Sequence, residues 1–197
     1  MNVLQPPNAL FLIGLTIYFW IRHGFINRTK TEKKIISRID VIEKLLLGMV
    51  FLAVLVLPII YLFTPILSVA DYDLPFPLRL AGCPVLVASL LLFWRSHIDL
   101  GQNWSVSLEI RESHTLISSG IYQSVRHPMY ASIWLWSIAQ GMILSNWLAG
   151  WALLPAFAVM YFIRIPREER LMAETFGDSY HQYSAQTGRV FPRMSKV

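Results

Sequence analysis

Charge is scarce in this chain. Only 15% of its 197 residues are Asp, Glu, Lys or Arg, while 55% are hydrophobic. So apolar a composition excludes intrinsic disorder and is unusual for a soluble domain. Cysteine is scarcer still: Cys83 stands alone inside an apolar run. A single thiol excludes a disulfide framework and a Cys-based metal centre, and reads as a small buried apolar residue. No Gly-x-Gly-x-x-Gly follows a strand pattern and no Walker pattern occurs, so the common nucleotide-binding folds have no signature here. His23, His97, His114, His127 and His181 lack paired ligand spacing, and no Ser-His-Asp arrangement stands out. No metal site is expected. Basic residues are few but unevenly placed. The formal net charge of +5 comes from residues flanking apolar runs, which fits membrane orientation better than nucleic acid.

Long apolar segments are what the chain has in abundance. Five are counted, at about residues 9–26, 44–67, 78–95, 128–144 and 147–163. A span needs roughly 20 residues, with a range of about 17 to 25, so the last three are near the short end. Met1–Asn8 carries no Lys or Arg and no small-residue cleavage pattern follows, so the first segment reads as a retained span. Pro58 predicts a kink in the second. Ser145-Asn146 leaves room only for a tight turn, so the last two segments form a helical hairpin. With the N-terminus outside, the first inner loop carries Arg22, Arg28, Lys30, Lys33, Lys34, Arg38 and Lys44, the second Arg95, Arg111 and Arg126, and the tail Arg164, Arg167, Arg170, Arg189, Arg193 and Lys196. Only Arg79 falls on the other side, beside Asp71 and Asp73. This asymmetry predicts a single all-α membrane domain over residues 1–197, with five transmembrane helices, N-out and C-in.

The polar pieces, Ser96–His127 and Arg164–Val197, then both face the cytosol. The first holds the stretch on which the chain turns, His114-Thr-Leu-Ile-Ser-Ser-Gly-Ile-Tyr-Gln-Ser-Val-Arg-His-Pro-Met-Tyr130. Asp99–Ile110 reads as a turn and then an extended or interfacial segment, with Trp104 at headgroup depth. Ser118-Ser119-Gly120 is a turn, and Pro128 suits the first turn of a helix. Free N–H groups at that start, with the helix dipole, favour an anion or electron-rich group. In the tail, Arg164 and Glu168 share a face if the helix runs on through Pro166, which can also kink it or start a new helix. Phe176-Gly177 reads as a helix end, and Tyr180 and Tyr183 share a face of the next helix, capping a pocket or anchoring at the interface. These readings alone reach an integral membrane protein with a polar cytosolic site.

Taken together, His114-Thr115-Leu116-Ile117, Gly120-Ile121-Tyr122, Arg126-His127-Pro128-Met129-Tyr130 and Arg164…Arg167-Glu168-Glu169…Phe176-Gly177…Tyr180…Tyr183 resemble the isoprenylcysteine carboxyl methyltransferase family. The resemblance covers about residues 101–192 and is closest in form to small prokaryotic members. The Arg-His-Pro part is shared with phospholipid N-methyltransferases and resembles motifs in some sterol reductases. The family implies S-adenosylmethionine as cofactor, with S-adenosylhomocysteine as product, in a non-Rossmann pocket built by the cytosolic loop and the helical tail. By position, the implied cofactor contacts are His114, Thr115, Leu116, Ile117, Tyr122, His127, Pro128, Met129, Tyr130 and Glu168. Arg164 matches the family's substrate arginine. Ser107 stands where the eukaryotic enzymes have a cofactor-contacting glutamine. The implied reaction is methyl transfer to the carboxylate of an isoprenylcysteine-like or other lipidic substrate, in the cell membrane with the site facing the cytosol. A phospholipid or other lipid N-methyltransferase is the alternative. A non-enzymatic structural or transport protein is a distant one. The implied partners are a lipid-tailed or prenylated substrate and membrane lipid, with no nucleic acid.

Overall fold

The computed structural model describes residues 5–29, 34–37, 40–101, 109–111 and 115–193. Among the described residues there are seven α-helices: α1 Pro6–Thr29, α2 Val41–Phe51, α3 Leu57–Phe63, α4 Phe76–Leu100, α5 Pro128–Leu144, α6 Leu153–Phe176 and α7 Asp178–Gln186. The described fold is all-helical apart from one antiparallel ribbon, in which β1 (Lys34–Ser37) pairs with β2 (Glu109–Arg111). The expected extended character before Ile110 survives as β2; Trp104 and Ser107 lie outside the described residues.

Three stretches are long and apolar enough to cross a membrane by length and composition: Pro6–Asn27, Val41–Phe63 and Phe76–Leu100. They present large apolar side chains outward, among them Trp20, Leu45, Leu52, Val87 and Leu91. Exposed apolar surface on this scale belongs in lipid rather than water. α5, at 17 residues, does not meet the same measure, and neither does α6, whose second half carries Arg164, Arg167, Glu168 and Glu169.

Two expected boundaries move, each for a local reason. The third segment is longer than 78–95, because α4 runs to Leu100 and stops at Gly101, whose φ is +55°. Arg95 and Asp99 pair at 3.0 Å on its last turn, so the polar end stays helical. The fifth helix starts at Leu153 and not at 147. Ser145 adopts φ +49°, and the Asn146 side-chain oxygen then accepts the N–H groups of Leu148 and Ala149, holding the chain in turns before α6 begins. Pro166, half a helix later, does not interrupt α6.

The second segment changes register just before Pro58, and that register explains how the proline is accommodated. Leu52–Val56 is π-helical, with the N–H of Leu57 bonded to Leu52 O. In that register Ala53 O would next take the N–H of residue 58, and proline has none. Gln140 of α5 fills the gap: its amide donates to Ala53 O at 2.9 Å and to Ala149 O at 2.7 Å, while its oxygen accepts from Trp136 Nε1 at 3.0 Å. Gln140 is fully buried, so one amide ties the second segment, α5 and the turn before α6 into a unit.

α5 is the helix around which the others are laid. Ten of its seventeen residues are buried, from Pro128 to Leu144, and it packs against α1, α4 and α6. Gly82 lets α4 close on it: a Cβ there would stand 2.8 Å from Ile143 Cγ1 and 3.2 Å from Ala139 O. At the Asn146 end, Arg79 donates to Ile143 O and Asn8, and Asn146 donates to Leu67 O and Asp71. Replacing Gln140 by Leu leaves a buried carbonyl on each neighbour without a donor. At roughly 1–3 kcal/mol per orphaned group, we expect a clear fall in the detergent melting temperature; an unchanged value would show that the bridge is dispensable.

Candidate functional site

At the other end of α5 the chain enters from a tight turn. Gly120 opens a 3-10 turn, Gly120–Gln123, with φ +61°. A Cβ there would sit 2.3 Å from Asp99 Oδ2, which accepts the N–H of Ile121 at 2.7 Å. Glycine is thus required twice, by conformation and by the close approach of α4. Tyr122 points inward, buried.

The tail returns to the same place. Val125 bridges Gly188, and the N–H groups of Arg126 and His127 donate to Gly188 O and Arg189 O, each at 2.8 Å. The Arg126 guanidinium reaches the last turn of α7, donating to Ser184 O at 2.8 Å and to Thr187 O. Tyr183 donates its hydroxyl to Tyr122 O at 2.7 Å. Tyr180 is buried and its ring centroid lies 6.2 Å from that of Tyr183. Tyr183 is thus tied to the turn that leads into α5.

Between these walls sits a compact charged cluster. Arg164 is buried on α6, and its Nε donates to Glu168 Oε1 at 3.1 Å, so the i, i+4 pair forms as expected. Tyr130 donates to the same oxygen at 2.9 Å. Arg164 Nη1 lies 3.2 Å from Glu43 Oε1, from the first turn of α2. His127 stands between two adjacent acids, with Nδ1 3.7 Å from Glu168 Oε2 and Nε2 3.3 Å from Glu169 Oε1. Glu169 also receives Arg126 at 3.2 Å and a two-pronged contact from Arg189 at 3.1 and 2.7 Å. Three arginines thus face three glutamates around one histidine. Burial opposes ionisation of Glu169, but the hydrogen bonds from His127 and Arg189 and their charges outweigh it and hold its carboxyl down at about 2. Burial pushes the Tyr183 hydroxyl up to about 12, leaving it a neutral donor.

Of the residues singled out from sequence, His127, Tyr130, Arg164 and Glu168 are brought into this cluster. Pro128 and Met129 form the first turn of α5 beside it. Tyr122 lies on the turn before α5, its carbonyl accepting the Tyr183 hydroxyl and its own hydroxyl directed at Ser96 O. Thr115, Leu116 and Ile117 lie in the irregular run leading to Gly120, Thr115 exposed and the other two half-buried. His114 falls outside the described residues. Sequence reasoning passed over Glu43, Glu169 as the meeting point of three cations, and Arg189. Glu43 had a readable signal, an acid at the very head of a long apolar run.

Comparison with known proteins bears on this region. Residues 80–174 match the model of the isoprenylcysteine carboxyl methyltransferase (ICMT) family. The family resemblance is shown over that stretch. The chain is 36% identical over 90 residues to protein-S-isoprenylcysteine O-methyltransferase of Schizosaccharomyces pombe, covering 44% of this chain and 37% of that one. It is 31% identical over 111 residues to the cobalt-zinc-cadmium resistance protein CzcN of Cupriavidus metallidurans, covering 56% of this chain and 51% of that one. The chain thus spans between about a third and a half of the length of these relatives. A solved structure of a eukaryotic intramembrane Ras methyltransferase of the ICMT family superposes with TM-score 0.60 at 24% identity, over 97% of this chain and 69% of that one. The shared fold is that of an integral membrane protein.

The cluster has a consequence in acid. Glu169 titrates lower in the fold than its ordinary 4.5, so its contribution is complete above that value and is lost as pH falls from about 4.5 toward about 2. Amide exchange in residues 178–190 should accelerate over that window, and Glu169→Gln should show the faster exchange already at neutral pH. Exchange that is flat across the window would remove Glu169 as the tail's anchor.

Proposed function

We propose that the chain is an S-adenosylmethionine-dependent methyltransferase acting on the carboxylate of an isoprenylcysteine-like or other lipidic substrate at the cytosolic face of the membrane. The observation that carries this reading is Arg164: a buried guanidinium where the apolar half of α6 ends, facing the entrance of α5. An arginine so placed can orient a carboxylate whose lipid tail remains in the bilayer. The gathering of Arg126, Arg164 and Arg189 at the α5 entrance, with Asp71 and Arg79 near the other end of α5, supports a cytosolic placement of that entrance.

The residues present fit the cofactor. Glu168 Oε1 is occupied by Tyr130 and Arg164, while Oε2 stands 3.7 Å from His127, beyond hydrogen-bond distance, and keeps capacity to accept from an ammonium group. The start of α5 at Pro128 suits a carboxylate, and Tyr122 and Tyr130 offer aromatic faces to an adenosine or a sulfonium. His114, Thr115, Leu116, Ile117 and Met129 complete the set that the family resemblance implies. When bound, the cofactor supplies an electrophilic methyl group on a cationic sulfur. What the chain supplies is alignment and dryness. Arg164 orients the nucleophile, Glu168 fixes the amino end of the cofactor, and the tail packed on Tyr122 and Arg126 excludes water. A general base is unnecessary, because an α-carboxyl group with a pKa near 3.5 is already ionised at neutral pH. Bringing a carboxylate to a sulfonium neutralises charge, which a water-poor site favours.

An amine substrate would have no use for Arg164, and this separates the lipid N-methyltransferase reading. With detergent-solubilised protein and labelled methyl donor, Arg164→Ala should lower kcat/KM for a small prenylcysteine acid by roughly 100-fold, about 2.7 kcal/mol. Glu168→Gln should weaken S-adenosylhomocysteine binding by about tenfold, as loss of a charge-assisted hydrogen bond implies. Methylation of an amine-headed lipid that is indifferent to Arg164→Ala, with no carboxylate methylation by the wild type, would overturn the proposal.

A further inference from the structure

We propose that Glu43 is the positioning residue that holds Arg164 in place for a substrate carboxylate. The inference rests on the reading of Arg164 given above. Glu43 is 1% exposed, in the first turn of the second apolar segment, and Arg164 Nη1 lies 3.2 Å from its Oε1. Neither Glu43 oxygen makes a hydrogen bond among the described residues. A buried carboxylate without hydrogen bonds is destabilising, so its presence calls for a role beyond packing. Its attraction to Arg164 is one of charge and not of a directed bond. An incoming carboxylate can therefore engage the guanidinium without first breaking a hydrogen bond to Glu43.

Glu43 is itself fixed by its surroundings. Asp40 Oδ1 caps α2 by accepting the N–H of Glu43 at 2.7 Å, while Asp40 Oδ2 lies 3.2 Å from Arg167 Nη1. Asp40 with Arg167 and Glu43 with Arg164 are two contacts spaced three residues apart on both partners, running in opposite directions. Such a pair of contacts sets the register between the head of α2 and the middle of α6. Glu168 holds Arg164 from within its own helix, at Nε. Glu43 holds the far end of the guanidinium from a different helix. With one hold on each side, the guanidinium is kept from swinging away from the site.

The test is kinetic, on the full chain in detergent with labelled S-adenosylmethionine and a small prenylcysteine acid. Glu43→Gln, which keeps volume and removes charge, should raise KM for the acid about tenfold while kcat and S-adenosylhomocysteine affinity stay within about twofold. Glu43→Asp should recover part of the loss. In the double variant Glu43→Gln/Arg164→Ala, the first change should add nothing to the second, because the partner through which it acts is gone. An unchanged or lowered KM in Glu43→Gln, a parallel fall in cofactor-product affinity, or additive effects in the double variant would each overturn the proposal. If Glu43→Gln does not fold, Glu43→Asp alone and in the same double variant carries the comparison. A wild type that binds S-adenosylhomocysteine but methylates no carboxylate would instead overturn the functional reading, and this proposal with it.

Discussion

A buried guanidinium cannot stand alone. Burying Arg164 without opposite charge would be prohibitive, and much of the structure around the α5 entrance follows from meeting that demand. Glu168 answers from one turn away, Glu43 from another helix, and Tyr130 steadies Glu168. Once Glu168 is fixed, the neighbouring Glu169 faces His127, Arg126 and Arg189 and draws the tail in. Helix packing, tail docking and the chemistry proposed for the site are thus different aspects of one electrostatic balance.

That balance needs a rigid base. α5 presents His127 and Tyr130 to the cluster, and its position is set at its far end by Gln140 and at its flank by Gly82. The π-helical stretch before Pro58 would otherwise leave Ala53 O without a donor in an apolar setting. A single buried amide thus converts a disruption in one helix into a fixed contact between helices.

Much of this was legible in the sequence, and the reasons are particular. Apolar length and composition located the helices, and Pro128 and Gly177 marked helix ends correctly, because a missing N–H and a missing Cβ act locally. The four-residue spacing of Arg164 and Glu168 foretold their pairing for the same reason. The start of α6 was misplaced by several residues, since nothing in the apolar run after Asn146 reveals that the Asn146 side chain caps turns there. Glu43 was missed because its partner is 121 positions away in the chain. The loop holding Ser107 and His114 carried a family signature but stands outside the described residues. The methyltransferase likeness came from motif order, which composition and periodicity could not supply.

The parallel bridge between Val125 and Gly188 has one more implication. It closes the polypeptide on itself like a buckled belt, with the α5–α6 hairpin as the strap and the charged cluster inside the loop. The two walls around Arg164 cannot drift apart while the buckle holds, because backbone pairs and the Arg126 fork cross it. Separating the tail from the α5 entrance would therefore mean breaking these backbone pairs together and not one side chain at a time. The buckle makes the tail part of the frame around Arg164 and not a flap laid over it.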